Sequence, residues 1–291
     1  MAWEYADLFD SVLDSSRDDL LGQYWRSFPT NIRIGKMGYR TRTIKAGERL
    51  EVDVHPIFGR EKERRLREAR HNQTPEKQQQ QNMKRAKHRL ILLLETNFNI
   101  DEDYHLTLTY AEPCHTLERC QKDIRNFFAR VRRARESRGL PDLKYLYSIG
   151  HDAGQRLHVH VILNGGIPRE EMEQLWGKGY ANGMVLQGYG TGLQGMANYL
   201  YRQNERERLA GNRYGQKSWS GSRNLKKPKE RVSDTKMSNS RVKTLAFDFR
   251  NEAKGIMEKL YPGYTYQECA VYYSDVVDGV YIRCVLRRRR E

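Results

Sequence analysis

Arg156-Leu157-His158-Val159-His160-Val161-Ile162-Leu163-Asn164 alternates in the manner of a β-strand, with Leu157, Val159, Val161 and Leu163 on one side and His158 and His160 on the other. Successive strand side chains point to opposite faces, so the two imidazoles project together while the aliphatic side anchors the strand in a core. Two neutral imidazoles side by side can hold a divalent cation. Two polar residues on the wet face of a half-buried strand give the same pattern, so the flanking sequence has to choose between these readings.

Composition narrows the choice. The 291 residues suffice for one large or two modest domains. Lys and Arg number 52 against 37 Asp and Glu, a formal charge of +15 at pH 7. That excess suits a polyanion, nucleic acid or an anionic membrane surface, better than a small neutral substrate. No apolar run is long enough to span a bilayer, and the acidic first residues lack the basic-then-apolar order of a signal peptide. A cytoplasmic location with no membrane partner is therefore expected. Cys114, Cys120, Cys269 and Cys284 show no C-x-x-C spacing and read as free thiols rather than zinc ligands or disulfides.

Working outward, residues 1–30 carry apolar positions at helical spacing and predict one or two short helices. Residues 39–56 alternate around Lys45-Ala46-Gly47-Glu48 and predict a hairpin. Residues 60–89 hold eleven basic and four acidic residues with a Gln78-Gln79-Gln80-Gln81 tract, which predicts a solvated helix or helix pair; an apolar helix resumes over 88–98. Residues 104–110 form a second strong strand, followed by a helix over 116–137 that ends at Gly139-Leu140-Pro141. A third strand over 143–149 turns through 152–155 into the histidine strand. A helix at 168–176, a strand at 184–187 and a helix over 191–204 come next. Residues 202–231 carry ten basic and three acidic residues interleaved with Tyr214 and Trp219. Charge there can track phosphates while aromatics stack on unpaired bases; a solvated loop has the same composition. A helix at 242–260 and strands at 269–273 and 280–286 complete the pass.

The chain thus offers, in order, Leu106-Thr107-Leu108-Thr109 on a strand, then His158-Val159-His160 on a strand, then Asn198-Tyr199-Leu200-Tyr201-Arg202 on a helix. This order resembles the HUH endonuclease superfamily, whose replication members carry an apolar, Thr-rich strand, a His-hydrophobic-His strand and a helix with Y-x-x-K. Residues 39–47, 222–228 and 280–284 are similar to stretches of rolling-circle replication initiators (Rep proteins) from phages and mobile elements of Gram-positive bacteria, and the likeness spans roughly residues 35–290. One departure is Arg202 where the family has Lys, which keeps the charge but not a compact, titratable ammonium.

The resemblance implies an α/β (α+β) fold with a central antiparallel sheet flanked by helices. It divides the chain into an N-terminal hairpin and charged helical region (1–100), an endonuclease core (101–205) and a basic loop with a C-terminal extension packing on the core (206–291). It implies site-specific nicking and joining of single-stranded DNA, a hairpin at a replication origin, through a 5′-phosphotyrosine intermediate with Mg²⁺ or Mn²⁺. A host polymerase would extend the freed 3′-hydroxyl. No P-loop pattern is present, so unwinding falls to a host helicase.

Candidate site residues follow. His158 and His160 are the metal ligands. His151 is the third if the loop is 152–155, which pairs residue 151 with Arg156 on the histidine face; a three-residue loop favours Asp152 instead. Glu95 and Asp103 lie outside that set, and His105 reads as a hydrogen-bonded structural residue at the site's edge. Tyr199 and Tyr201 flank the buried stripe of their helix on opposite sides, so geometry alone does not choose the nucleophile. The family spacing favours Tyr199, with Arg202 one turn on. Arg206, Arg208, Arg213, Lys217, Trp219, Arg223, Lys226 and Lys227 are the DNA-binding candidates. Rival readings are an HUH transposase or relaxase, a catalytically silent nucleic-acid-binding protein, and an RNA-processing protein. A relaxase is disfavoured because the histidine strand has no third histidine.

Overall fold

The computed structural model describes residues 38–71, 74–151, 156–188, 190–209, 217–273 and 279–289; within these, the side chains of 63, 66, 67, 69–71, 151, 202–209 and 273 stay outside the description. The helices expected over 1–30 lie outside the described residues. In chain order the first elements are β1 (Tyr39–Ala46), β2 (Arg49–Pro56), α1 (Arg60–His71), α2 (Pro75–Asn97) and β3 (Tyr104–Leu108). Next come α3 (Leu117–Glu136), β4 (Tyr145–His151), β5 (Leu157–Leu163), α4 (Arg169–Trp176), β6 (Ala181–Val185) and α5 (Gln194–Leu209). The last are β7 (Ser220–Gly221), β8 (Lys229–Ser233), α6 (Asn239–Leu260), β9 (Tyr264–Tyr273) and β10 (Val280–Arg288).

Two compact units share the chain: residues 1–85 with 228–291, and residues 86–227. The sequence reading places its boundaries at 100/101 and 205/206. Each unit has its own five-stranded antiparallel sheet, so the fold is α+β with two sheets rather than one.

In the first unit the sheet order is β8-β1-β2-β10-β9. The expected hairpin forms with Ala46 paired to Arg49, and Gly47 takes a φ of 56° at the first position of the two-residue turn, where glycine avoids the Cβ clash. One sheet face (Leu50, Val52, Val54, Ile282, Cys284, Leu286) packs on Val242, Leu245, Ala246, Ala253 and Met257 of α6. That helix begins at Ser238, whose hydroxyl accepts from the Arg241 N–H, and it kinks at Asp248. The other face is charged. Asp53 is fully buried and accepts two hydrogen bonds, at 2.7 and 2.9 Å, from the Arg283 guanidinium on β10. Strand β8 was not expected from its charged sequence. It pairs with β1 because Arg42 holds Glu230 and Arg40 holds Asp234 across the strand edge.

In the second unit the sheet order is β6-β3-β5-β4-β7. Central β5 is flanked on both sides, so its residues read as a nearly continuous apolar run. Leu157, Val159, Val161 and Leu163 join Leu106 and Leu108 against Ile124, Phe127, Phe128 and Val131 of α3 and Met172 and Trp176 of α4. The Trp176 indole N–H donates to the Thr109 carbonyl at 2.8 Å. The opposite face buries Leu146 and Ile162 under Leu90, Ile91, Leu93 and Leu94 of α2 and Leu193, Ala197 and Leu200 of α5. The helix expected to resume at 88 is therefore the second half of one continuous α2. The 217–227 stretch is tied down: β7 pairs with β4, and the Asn97 amide bonds both the N–H and the carbonyl of Lys226. The cysteines are free thiols. Among the described residues no helix is long and apolar enough to cross a membrane.

Candidate active site

The face of the second sheet that carries Leu146 and Ile162 turns polar toward the other end of β5. Register sets what surrounds each histidine. His160 lies between Thr107 on β3 and Ser148 on β4, and His158 lies opposite Gly150. Thr107 Oγ1 and His160 Nδ1 are hydrogen-bonded at 3.2 Å, the donor depending on the imidazole tautomer. The two histidine rings stand edge to face with centroids 5.0 Å apart.

Helix α5 brings Tyr199 to this point. Its N-terminal end is fixed by Glu95, whose carboxylate accepts from the Leu193 N–H at 2.7 Å. Leu193, Ala197 and Leu200 face the sheet. Tyr199 is 43% exposed and stands edge-on to His160 with centroids 5.1 Å apart. Tyr201 is 3% exposed and belongs to the core. The structure therefore brings His158, His160 and Tyr199 together, with Tyr199 the accessible phenol.

His105 is the residue that the sequence undervalued. Its ring stacks on His160 at 5.5 Å and stands edge-on to Tyr199 at 5.8 Å. Its Nε2 is buried and has no hydrogen-bond partner among the described residues, contrary to the hydrogen-bonded role expected for it. The signal was available: His105, Thr107 and Thr109 share one face of a strand that borders the histidine strand.

Electrostatics keep these imidazoles neutral. Burial, then the positive charge that His158 and His105 can carry, pushes the His160 pKa down to about 3. Burial likewise lowers that of His105. A neutral imidazole offers a lone pair to a metal. His160 Nε2, His105 Nε2 and Ser148 Oγ are all buried without a hydrogen-bond partner among the described residues, and all belong to His160 or its neighbours. Buried polar atoms are nearly always satisfied, so three unsatisfied ones at one place fit an ion or water site. Among the described residues no three His, Cys, Asp or Glu side chains form a metal-binding group, so the fit rests on the histidine pair.

The register corrects one expectation. His151 pairs with Leu157, not Arg156, and it is Gly150 that shares the face of His158. The His151 side chain and residues 152–155 lie outside the description, as do the side chains of Arg202, Arg206 and Arg208 and the whole of Arg213. Asp103 spans Gly165 N–H and Asn99 N–H and so ties loops together. Of the DNA-binding candidates, Lys217, Arg223, Lys226 and Lys227 are exposed. Trp219 is half-buried, packs on the α2/α5 core and donates its indole N–H to the Ala86 carbonyl.

No curated protein and no solved structure matches the chain. Residues 103–203, the segment from β3 through the paired histidines to Tyr199, match the family model of the replication-associated protein ORF2 and are in that respect similar to replication-initiator proteins.

Proposed function

We propose that this protein initiates rolling-circle replication by nicking and rejoining single-stranded DNA at an origin hairpin. The observation that carries the reading is the approach of an exposed phenol, Tyr199, to a buried imidazole, His160, whose Nε2 has no protein partner among the described residues. The family match over the same residues supports a role in DNA replication.

His158 and His160 would hold the cation, with His151 or Asp152 as the third ligand. A bound Mg²⁺ or Mn²⁺ supplies Lewis-acid polarisation of the scissile phosphate. The Tyr199 oxygen attacks phosphorus, a P–O bond to the upstream sugar breaks, and the leaving 3′-oxygen takes up a proton. The products are a 5′-phosphotyrosine and a free 3′-hydroxyl, from which a host polymerase extends behind a host helicase. Attack by a 3′-hydroxyl on the phosphotyrosine reverses the step, so joining needs no nucleotide cofactor. Thr107 fixes the His160 ring, Glu95 fixes the start of α5, and Arg202 supplies positive charge one turn beyond the nucleophile. The exposed Lys217, Arg223, Lys226 and Lys227 would bind the DNA backbone.

The test is incubation with circular single-stranded DNA and Mn²⁺, followed by denaturing electrophoresis. Wild type should yield a protein-linked 5′ end that vanishes in Tyr199→Phe and persists in Tyr201→Phe. The reverse pattern moves the nucleophile to Tyr201. No linkage in wild type rejects the reading.

A further inference from the structure

Gly150 sits at an ordinary strand position, and it is not among the glycines with positive φ. Glycine in a strand interior costs conformational entropy and packs nothing, so its place here calls for another reason. Opposite it, the His158 imidazole lies across β4. A Cβ on residue 150 would fall 2.6 Å from His158 Nε2, 3.0 Å from Cε1 and 3.4 Å from Cδ2. The atoms in the way are the far end of one side chain, not backbone. Alanine at 150 would therefore turn the His158 ring aside and leave the ladder intact.

Thr107 constrains the other histidine from the opposite flank. Its hydroxyl engages His160 Nδ1, which leaves Nε2 as the nitrogen free to ligate and fixes the ring's rotation. A hydrogen bond to the second nitrogen of a ligating imidazole selects its tautomer, and losing such a partner weakens metal affinity about 10–100-fold.

We infer that Gly150 and Thr107 are the positioning residues of the cation site: Gly150 by leaving room for the His158 ring, Thr107 by holding that of His160. The inference rests on the metal reading above and adds to it residues that touch neither ion nor DNA. Strands β3 and β4 thereby set the angle between two imidazoles that β5 supplies.

Mn²⁺ binding to the full chain, followed by the electron paramagnetic resonance signal of the free ion, tests this without any DNA cleavage. Gly150→Ala should weaken binding at least about tenfold and Thr107→Val about 10–100-fold, with Thr107→Ser restoring it. The thermal midpoint and the affinity for single-stranded DNA in EDTA should stay at wild-type values in Gly150→Ala, which separates ring displacement from misfolding. Gly150→Ala and Thr107→Val variants that bind Mn²⁺ like wild type overturn the inference. A wild type that binds no Mn²⁺, or whose binding survives His158→Ala with His160→Ala, overturns the metal reading itself.

Discussion

Individual side chains carry unequal weight here, and the charged face of the first sheet shows it. Asp53 is fully buried with its carboxylate bound by Arg283 and with Arg42 3.9 Å away. Removing Arg283 strands a buried charge, so Arg283→Ala should destabilise that unit by about 3–5 kcal/mol in denaturant unfolding. His55, next but one on β2, is held neutral. Burial lowers its pKa most, and Arg40 and Arg42 lower it further against the opposing effects of the Pro56 carbonyl and Asp53. Its contribution to stability is thus complete above the ordinary value of about 6.5 and is lost as pH falls toward the depressed folded value. Replacing His55 with Asn should lessen the drop in thermal midpoint between pH 7 and pH 5; an unchanged drop rejects this. At this scale the sequence showed the alternation of His158 and His160, because period two is visible in one strand. It did not show Gly150 facing His158, because cross-strand register depends on the loop between β4 and β5.

At the level of elements, apolar periodicity was readable and charge was not. The β1–β2 hairpin, α3 and β5 lie within a few residues of their expected bounds, since each repeats apolar residues at the period of its structure. Strand β8 escaped notice because Lys229-Glu230-Arg231-Val232-Ser233 has no apolar alternation and draws its order from ion pairs to β1. Exposed pairs contribute little, about 0–1 kcal/mol each. Glu230→Lys should accordingly speed amide hydrogen exchange in residues 229–233 while leaving the global midpoint nearly unchanged. The opposite is expected on α3. Phe128 is buried and stacks on Tyr145 with centroids 3.6 Å apart, so Phe128→Ala should cost about 3–5 kcal/mol.

For the whole molecule, the +15 charge and the family match point the same way. Affinity for single-stranded DNA should fall steeply with salt. Each of Lys217, Arg223, Lys226 and Lys227 that meets a phosphate should, when replaced by Ala, lessen the log–log slope by about 0.7. A slope unmoved by all four replacements places the DNA elsewhere. That there are two sheets was not legible, because a sequence pattern reveals strands but not their partners.

The pairing of β2 with β10 has a consequence for biosynthesis. Asp53 and Arg283 stand 230 positions apart, a gap that a ribosome crosses in roughly 10–50 s at about 5–20 residues per second. Through that delay the nascent hairpin offers Leu50, Val52 and Val54 to water with neither β10 nor α6 yet made, while the intervening second unit emerges complete. A chain stopped after Lys227 should therefore bind a fluorescent hydrophobic dye and recruit chaperones, even as residues 86–227 resist proteolysis.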